Sequence, residues 1–476
     1  MVLQDLLTIL LECLKMQPSG CIFFFPEGDN MKLSNFNMIM PTETPDEYLL
    51  ANMMSGAVIG IDEEVKEIIE KGDISCLDTS MINTLRDLKV ILPDHIDEYR
   101  KFKAGYEFKK YTVNFPSFTL ITTYACNLAC PYCYQGKGEV FRGTMTEDTR
   151  RRTITFIKKK MEETRAQEFS VVLYGGEPLL NFDDSVYIMD SCFTWAEERG
   201  VTYATLMVTN GTLVTPQIAE TLNHYNTKYV QITLDGPKRI HDTIRVYKKG
   251  GGTFEDMMRA AHILRDHDIG VSFRINVDTE NRPYIGELLD ELQERGLKDT
   301  EVRCGIVVES QQCHNYSKCL HDEETRKVLA EFREIVDEKG QATAVIRTHR
   351  PSHVFCGFLG EGTYLIDPYA DVYKCLTFVG QKEHSIGHLN KDGEIEEHTW
   401  AYYNWMSRDP LAIKECRECI MLPSCGGGCA AIAYEKFGTY HARGCYEPQK
   451  EMKHQLRWYL ERKLPQDFKD GKIIWD

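Results

Sequence analysis

Residues 117–133 read SFTLITTYACNLACPYC, an apolar run followed directly by three cysteines, Cys126, Cys130 and Cys133. The run predicts a buried β-strand, and the cysteines begin where that strand ends. Five further β-rich runs alternate with helical stretches, which is typical of βα units and a parallel sheet. These strands are predicted at 169–175, 203–209, 229–235, 270–278 and 301–309, and helices at 147–163, 215–225, 255–268 and 282–296. Six units are fewer than the eight of a closed barrel, so the predicted fold is α/β with a partial (β/α)6 TIM-like barrel.

Polar or glycine-bearing segments follow four of these strands. The three cysteines follow the first strand, GGEP (175–178) the second and TNGT (209–212) the third, while TLDGP (233–237) ends the fourth. In barrels of this kind the chemistry lies at the carboxyl ends of the strands. The sequence therefore predicts that the four segments meet at one rim and form the active site.

Composition and charge exclude some partners. The chain has 476 residues, 42% of them hydrophobic, and a net charge of −16. This charge argues against a broad basic face for nucleic acid or anionic lipid. No apolar run reaches the ~18 residues of a membrane span, and the first residues lack the features of a signal peptide. We therefore expect a cytoplasmic protein that binds neither nucleic acid nor membrane.

The seventeen cysteines are unevenly placed, with one group at 126–133 and seven more between 356 and 445. In a reducing compartment, clustered cysteines bind metal or do chemistry more often than they form disulfides. Three thiolates can hold a [4Fe–4S] cluster and leave its fourth iron open, whereas a structural zinc site needs four closed ligands. The strand-end position favours the open cluster at 126–133, and the alternative is a zinc site made of the three cysteines and a distant fourth ligand.

The first cysteine group resembles the signature of the radical S-adenosylmethionine (SAM) superfamily, CxxxCxΦC with an aromatic Φ, through Cys126, Cys130, Tyr132 and Cys133. GGEP, TNGT and TLDGP also occur in the family's order. The resemblance implies that the open iron binds SAM and that one electron cleaves SAM to a 5′-deoxyadenosyl radical, which abstracts a hydrogen atom from the substrate. An electron donor such as flavodoxin or ferredoxin is implied as a partner.

The same resemblance implies the SAM contacts. Gly175, Gly176 and Glu177 would receive the methionine amino group through backbone carbonyls and a carboxylate. Asn210 and Thr233 would contact the sugar or the carboxylate, and Tyr132 would lie near the adenine. Each of these segments is also compatible with an ordinary turn, which is the alternative reading.

The second cysteine group resembles the SPASM extension, which binds two auxiliary [4Fe–4S] clusters. The motif CxxCx5CxxxC is matched in full, but Ala370 stands where the family pattern has glycine. The resemblance implies one cluster on Cys416, Cys419, Cys425 and Cys445, and another on Cys356, Cys375 and Cys429. With the radical SAM cluster this makes three, and zinc in a four-cysteine site is the alternative for this region.

Seven cysteines leave one position of the two auxiliary clusters without a protein ligand. Either Cys304, Cys313 or Cys319 supplies the eighth ligand, or one iron stays open for a substrate thiol. An open iron would suit thioether formation, in which a substrate sulfur has to be held deprotonated.

The domains are predicted as an N-terminal arm at 1–30, a recognition-like unit at 31–110, the barrel at 111–312, a linker helix at 313–345 and the SPASM domain at 346–476. The unit at 31–110 resembles, in its order of elements, the winged-helix α+β element that binds the leader of a precursor peptide by strand addition. A structural cap on the barrel is the alternative.

These resemblances predict a maturase of ribosomally synthesised peptides that forms a Cys thioether crosslink. An anaerobic sulfatase-maturating enzyme, a carbon–carbon crosslinking or epimerising enzyme, and a non-catalytic iron–sulfur electron carrier are the alternatives. No general base is assigned. Asp235 and Asp242 are expected at the solvated surface, and His241 in a core or helix-capping role.

Overall fold

The computed structural model describes residues 30–42, 45–135, 141–308, 316–343 and 351–445, and the elements below belong to these residues. The predicted arm at 1–30 lies outside them apart from Asn30, and so do Cys13, Cys21 and Cys313. The chain divides into two compact units between Glu98 and Tyr99. The helix Glu98–Tyr111 therefore belongs almost wholly to the second unit.

In the first unit, the described residues form two small antiparallel sheets and two helices. Strands β2 (Asn37–Pro41), β3 (Glu47–Asn52) and β4 (Val58–Asp62) pair in that order. Strand β1 (Met31–Leu33) pairs with β5 (Ile91–Pro93). Helix α1 (Glu63–Lys71) and helix α2 (Thr79–Asp87) lie between β4 and β5 in the chain. The unit thus contains both strands and helices.

Local sequence explains where α1 begins and ends. The Asp62 carboxylate accepts a hydrogen bond from the Val65 N–H at the helix start, and Gly72 ends the helix with φ of 77°. Only glycine adopts this left-handed conformation without steric cost. Val65 and Ile69 of this helix are buried with Leu50, Leu85 and Ile91 in the core of the unit.

The second unit begins with α3 (Glu98–Tyr111) and contains the predicted parallel sheet. Its strands are β6 (Ser117–Ile121), β7 (Glu168–Tyr174), β8 (Thr202–Thr209), β9 (Thr227–Leu234), β10 (Gly270–Val277) and β11 (Glu301–Ile306). Each is parallel to the next. The connecting helices are α4 (Glu147–Thr164), α5 (Phe182–Arg199), α6 (Pro216–His224), α7 (Lys238–Ile244), α8 (Phe254–Asp266) and α9 (Ile285–Glu294). All six predicted strands are confirmed, and with them the α/β fold.

The sheet continues beyond β6 with strands that the sequence did not predict. Strand β12 (Thr363–Ile366) pairs in parallel with β6, and β13 (Asp371–Tyr373) and β14 (Gly387–His388) follow antiparallel. Among the described residues the sheet thus has nine strands, in the order β11-β10-β9-β8-β7-β6-β12-β13-β14. Strands of two to four residues are too short to give a periodic signal in the sequence.

Ala370 lies in the turn between β12 and β13, where the SPASM pattern has glycine. Its φ is 66°, and its N–H donates a 3.0 Å hydrogen bond to the Asp367 carbonyl. The turn therefore adopts the left-handed conformation with alanine in place of glycine, at a cost of about 1–2 kcal/mol. The departure from the family pattern does not remove the turn.

The remaining helices are α10 (Asp322–Lys339), α11 (Trp400–Met406), α12 (Lys414–Arg417), α13 (Leu422–Cys425) and α14 (Ala430–Phe437). The last three are short and lie among the C-terminal cysteines. Of the helices in the described ranges, none has the length and apolar character to cross a membrane.

Candidate active site

The segments at the ends of β6 and β7 are hydrogen bonded to each other. The Gly176 N–H donates to the Thr123 carbonyl at 2.9 Å, and the Glu177 N–H donates to the Ala125 carbonyl at 2.8 Å. From the end of β8, the Asn210 amide donates to Cys126 Sγ at 3.8 Å and to Asn127 Oδ1 at 2.8 Å. These contacts join the first cysteine segment to GGEP and TNGT, as parallel strands with aligned carboxyl ends should.

Close backbone contact explains the two glycines of GGEP. A Cβ on Gly175 would lie 2.4 Å from the Thr123 carbonyl oxygen, and φ of this residue is 147°. A Cβ on Gly176 would lie 2.3 Å from the Ala125 carbonyl oxygen. Any side chain would therefore push GGEP away from the cysteine segment. That the carbonyls of Gly175 and Gly176 receive a methionine amino group stays a prediction.

The Glu177 carboxylate is fully buried and organises the neighbouring strand ends. It accepts hydrogen bonds from the Leu179 N–H (3.0 Å), the Thr209 hydroxyl (2.7 Å) and the Asn210 N–H (2.8 Å). Burial raises its pKa, and these three donors act in the opposite direction. A carboxylate has about four acceptor positions, so one remains for the predicted SAM amino group.

Tyr132 belongs to a buried polar network at the ends of β9 and β10. Its hydroxyl donates to Asp235, and it accepts from Arg245 Nη1 at 2.8 Å and from Asn276 Nδ2 at 3.2 Å. Thr233, two residues before Asp235, is 8% exposed. Every predicted SAM contact thus lies at or beside a strand end of the parallel sheet.

Asp235 and Arg245 are residues whose importance the sequence did not predict. The expectation that Asp235 is solvated is wrong, because its side chain is 0% exposed and lies 3.8 Å from the Arg245 guanidinium. Burial raises the pKa of Asp235 to about 6, against the opposing effect of Arg245. TLDGP marked the position of Asp235, but no sequence signal pairs it with Arg245, which lies ten residues later, directly after helix α7.

His241 and Asp242 stabilise the connection from α7 to α8. His241 is fully buried, accepts from the Asp235 N–H at 3.3 Å and lies 3.1 Å from the Thr253 hydroxyl. Burial lowers the pKa of His241 to about 3. The core role expected for His241 is confirmed. Asp242 is partly buried and accepts from the N–H groups of Thr253 and Phe254, so it is a helix-start residue and not a freely solvated carboxylate.

The predicted metal-binding cysteines form three sets of neighbouring thiols. Burial raises the pKa values of six of these thiols, and nearby thiols of the same set raise them further; the six are Cys126, Cys130, Cys356, Cys375, Cys416 and Cys425. Set one is Cys126, Cys130 and Cys133. Set two is Cys356, Cys375 and Cys429. Set three is Cys416, Cys419, Cys425 and Cys445.

The chemistry of the sets fits iron–sulfur clusters. Their thiols are free of disulfides, and thiolates are the ligands that such clusters use. Among the described residues no three Cys, His, Asp or Glu side chains converge as a ready-made metal site, so binding of a cluster would require the thiols to turn toward a common centre. Arg245 Nε is buried beside set one without a hydrogen-bond partner in the described ranges, which leaves a donor for a polar cofactor. When bound, a cluster and SAM would supply a 5′-deoxyadenosyl radical.

Backbone geometry holds set three and Cys429 close together. Gly426, Gly427 and Gly428 have φ values of 59°, 88° and 73°. The Cys429 N–H donates to the Gly444 carbonyl at 2.9 Å, and a Cβ on Gly428 would lie 2.4 Å from that oxygen. The glycines therefore allow the segment before Cys429 to pack against the segment before Cys445.

Of the candidates for an eighth auxiliary ligand, Cys304 and Cys319 lie within the described residues. Gly305 pairs with Asn276, whose side chain reaches Tyr132, so the preceding residue, Cys304, faces the opposite side of the sheet. Cys319 Sγ donates to the Tyr316 carbonyl at 3.3 Å. Strand β11, which carries Cys304, forms one edge of the sheet, and five strands separate it from β12 and β13. Of these candidates, Cys304 points away from the strand-end network around Tyr132.

Two of the sequence relatives are named as maturation enzymes. The chain is 27% identical over 328 residues to the mycofactocin maturase MftC of Mycobacterium tuberculosis, covering 66% of this chain and 77% of MftC. It is 23% identical over 322 residues to a serine-type anaerobic sulfatase-maturating enzyme of Klebsiella aerogenes, covering 64% and 77%.

Solved structures share the fold. The enzyme anSMEcpe with bound AdoMet and Cp18Cys peptide matches with a TM-score of 0.57 and 17% identity, covering 73% of this chain and 97% of that chain. Streptococcus suis SuiB bound to the precursor peptide SuiA matches with a TM-score of 0.50 and 16% identity, covering 87% and 98%.

A family model also matches the part of the chain that contains set one and the strand-end segments. Residues 120–292 match the radical SAM superfamily. This range contains the cysteine motif, GGEP, TNGT and TLDGP, which the structure brings to one end of a parallel sheet. The chain therefore contains a radical SAM domain and is an enzyme.

Proposed function

We propose that this enzyme modifies a ribosomally synthesised precursor peptide by joining a Cys sulfur to a carbon atom in a thioether. The observation that carries the proposal is the separation of the C-terminal thiols into a set of four and a set of three. A [4Fe–4S] cluster on Cys356, Cys375 and Cys429 would keep one iron open. A peptide thiol bound there would be held as the thiolate, which is the nucleophilic form.

The atoms and electrons of this reaction balance as follows. The substrate carbon gives one hydrogen atom to the 5′-deoxyadenosyl radical, and the Cys thiol gives up one proton. The carbon–sulfur bond then forms with release of one electron. SAM cleavage consumed one electron, so the auxiliary site has to accept the released electron and pass it on. A flavodoxin or ferredoxin would supply the first electron.

The SAM contacts are part of the proposal. The carbonyls of Gly175 and Gly176, the Glu177 carboxylate and the side chains of Asn210 and Thr233 would orient SAM. Tyr132 would lie at the adenine. In support, Glu177, Asn210 and Thr233 are buried at strand ends beside set one.

We further propose that the leader of the precursor peptide adds a strand to β4. The Asn52 N–H donates to the Ala57 carbonyl, so by alternation Val58, Gly60 and Asp62 direct their backbone groups outward from the sheet. The other edge strand, β2, carries Pro41 at an outward position, which removes a donor there. Gly60 is exposed and keeps its outward N–H, so β4 offers a backbone donor for strand addition.

A proline at position 60 tests this docking mode. Gly60→Pro removes the outward N–H and adds a ring at the edge, without loss of a bond to β3. We expect the Kd for the precursor peptide to rise about tenfold or more, since one net hydrogen bond is worth about 1–1.5 kcal/mol and the ring adds a clash. Release of 5′-deoxyadenosine without peptide should not change.

Gly60→Ala is the matched control. A Cβ at Gly60 has no atom within 4 Å, and alanine keeps the N–H. Its peptide affinity should equal that of the unsubstituted enzyme. Equal affinities for the proline and alanine variants, measured by fluorescence anisotropy, would place the leader elsewhere.

A second candidate function is oxidation of a protein Cys or Ser to formylglycine. The similarity to the sulfatase-maturating enzyme of Klebsiella aerogenes favours it. The separate unit at 30–98 favours a precursor peptide as the substrate. The match to SuiB bound to its precursor peptide covers 87% of this chain, whereas the match to anSMEcpe covers 73%.

One experiment distinguishes the candidate reactions. The anaerobic enzyme is incubated with SAM, dithionite and a library of Cys-containing peptides, and the products are analysed by mass spectrometry. Thioether formation lowers the mass of the peptide by two hydrogen atoms. It also consumes the Cys thiol, so the product no longer reacts with iodoacetamide at that residue. Loss of two hydrogens with the thiol retained would indicate a carbon–carbon crosslink, and reaction with a hydrazide would indicate formylglycine. Either result would contradict the thioether proposal.

A further inference from the structure

The buried arginine Arg408 connects separate backbone segments beside set three. Its side chain is 1% exposed. Nη2 donates to the Gly427 carbonyl at 2.6 Å, and Nη1 donates to the carbonyls of Tyr440 and Ala442, the latter at 2.9 Å. Gly427 lies between Cys425 and Cys429, and Ala442 shortly precedes Cys445. The guanidinium therefore ties together the two segments that carry these cysteines.

The backbone of Arg408 is itself fixed by helix α3. The Arg408 carbonyl accepts hydrogen bonds from Lys110 Nζ and from the Tyr106 hydroxyl, each at 2.8 Å. Lys110 is 1% exposed and also donates to the Met406 carbonyl at 2.6 Å. Arg408 is thus fixed at its backbone carbonyl and at its guanidinium group, so its side chain is held in one orientation.

One donor of Arg408 is left without a partner. The Nε–H is buried and makes no hydrogen bond to any residue in the described ranges. Burial lowers the pKa of Arg408, and the neighbouring thiols of Cys416, Cys425 and Cys429 act in the opposite direction. A sulfur atom of an iron–sulfur cluster would give this buried N–H an acceptor. Hydrogen bonds to sulfur are among the factors that set the reduction potential of such a cluster.

We propose that Arg408 donates its Nε–H to a sulfur of a cluster held by set three, and that this bond and its positive charge raise the reduction potential of that cluster. One-electron reduction adds one negative charge to the cluster. A buried cation stabilises that extra charge strongly, because the surroundings screen it less than water does. Arg408 is then a positioning residue that favours electron transfer to set three. This inference rests on the proposed auxiliary clusters.

Redox titration of the full-length enzyme tests the inference. The enzyme is purified anaerobically, reduced stepwise with dithionite and followed by electron paramagnetic resonance. In Arg408→Gln, the ratio of reduced to oxidised set-three cluster at a fixed potential should fall on the order of tenfold, equivalent to about 59 mV for one electron. Arg417→Gln removes the same charge from an exposed side chain next to Cys416 and should leave the ratio unchanged.

A second measurement uses the unsubstituted enzyme, so it does not depend on the folding of a variant. With ¹⁵N-labelled arginine, the reduced set-three cluster should show a weak coupling to an arginine nitrogen, and Arg408→Lys should lack it. An unchanged ratio in fully loaded Arg408→Gln, or absence of the coupling in the fully loaded unsubstituted enzyme, overturns the role of Arg408. Zinc in place of iron in set three of the unsubstituted enzyme would instead overturn the auxiliary clusters and, with them, the proposed function.

Discussion

Cys126→Ala should abolish release of 5′-deoxyadenosine from SAM and remove about four irons per chain, the content of one cluster. Set one has three thiols, so a cluster that keeps one iron open for SAM has no spare ligand. The loss of Cys126 also removes the sulfur that accepts from the Asn210 amide and, at 3.4 Å, from the Leu128 N–H. Product analysis by liquid chromatography, with dithionite as reductant, measures the effect.

Cys76→Ala is the control for this variant. Cys76 is exposed and belongs to the first unit, away from the three cysteine sets in the chain. Its replacement should leave iron content and SAM cleavage unchanged. Substantial SAM cleavage by Cys126→Ala would mean that set one is not the site of the radical reaction.

Cys416→Ala should separate SAM cleavage from peptide modification. Metal binding and folding are coupled in small domains with few core residues, so loss of one of four ligands should destabilise the segment from α12 to Cys445. We expect about four irons fewer per chain, no modified peptide and continued release of 5′-deoxyadenosine, because set one is intact. Iron analysis, thermal unfolding and product assays on the same preparation measure these effects.

Cys192→Ala is a matched substitution of a buried cysteine outside the sets. Cys192 lies in α5 and is 1% exposed, so the variant makes a small cavity and removes no proposed ligand. It should retain its iron and its turnover at a modest cost in stability. Full peptide turnover by Cys416→Ala would contradict a role of set three in the reaction.

The sequence predicted the part of the site that depends on strand order. Each of the six barrel strands is long enough for a β-rich run to be recognised, and parallel strands bring their carboxyl ends to one edge. The positions of Cys126, Gly175 and Asn210 beside one another follow from this rule. The rule does not predict the contact between Asp235 and Arg245. This contact depends on how helix α7 packs after strand β9 has ended.

Other features depend on tertiary contacts that leave no local signal. Strands β12 to β14 extend the sheet with two to four residues each, because β6 offers them an edge. Arg408 lies in a stretch without a recognisable motif, and its role depends on carbonyl groups of Gly427 and Ala442, far from it in the chain. Ala370 shows the reverse case, in which a departure from a family pattern leaves the backbone conformation unchanged.

Three cysteine sets that bind three iron–sulfur clusters are the central claim, since both the open-iron reaction and the role of Arg408 depend on them. The most direct test is the content of iron, acid-labile sulfide and zinc per chain after anaerobic purification. The account predicts about twelve irons, a similar amount of sulfide and negligible zinc. About four irons with one or two zinc ions would contradict it, because the C-terminal thiols would then form a structural zinc module.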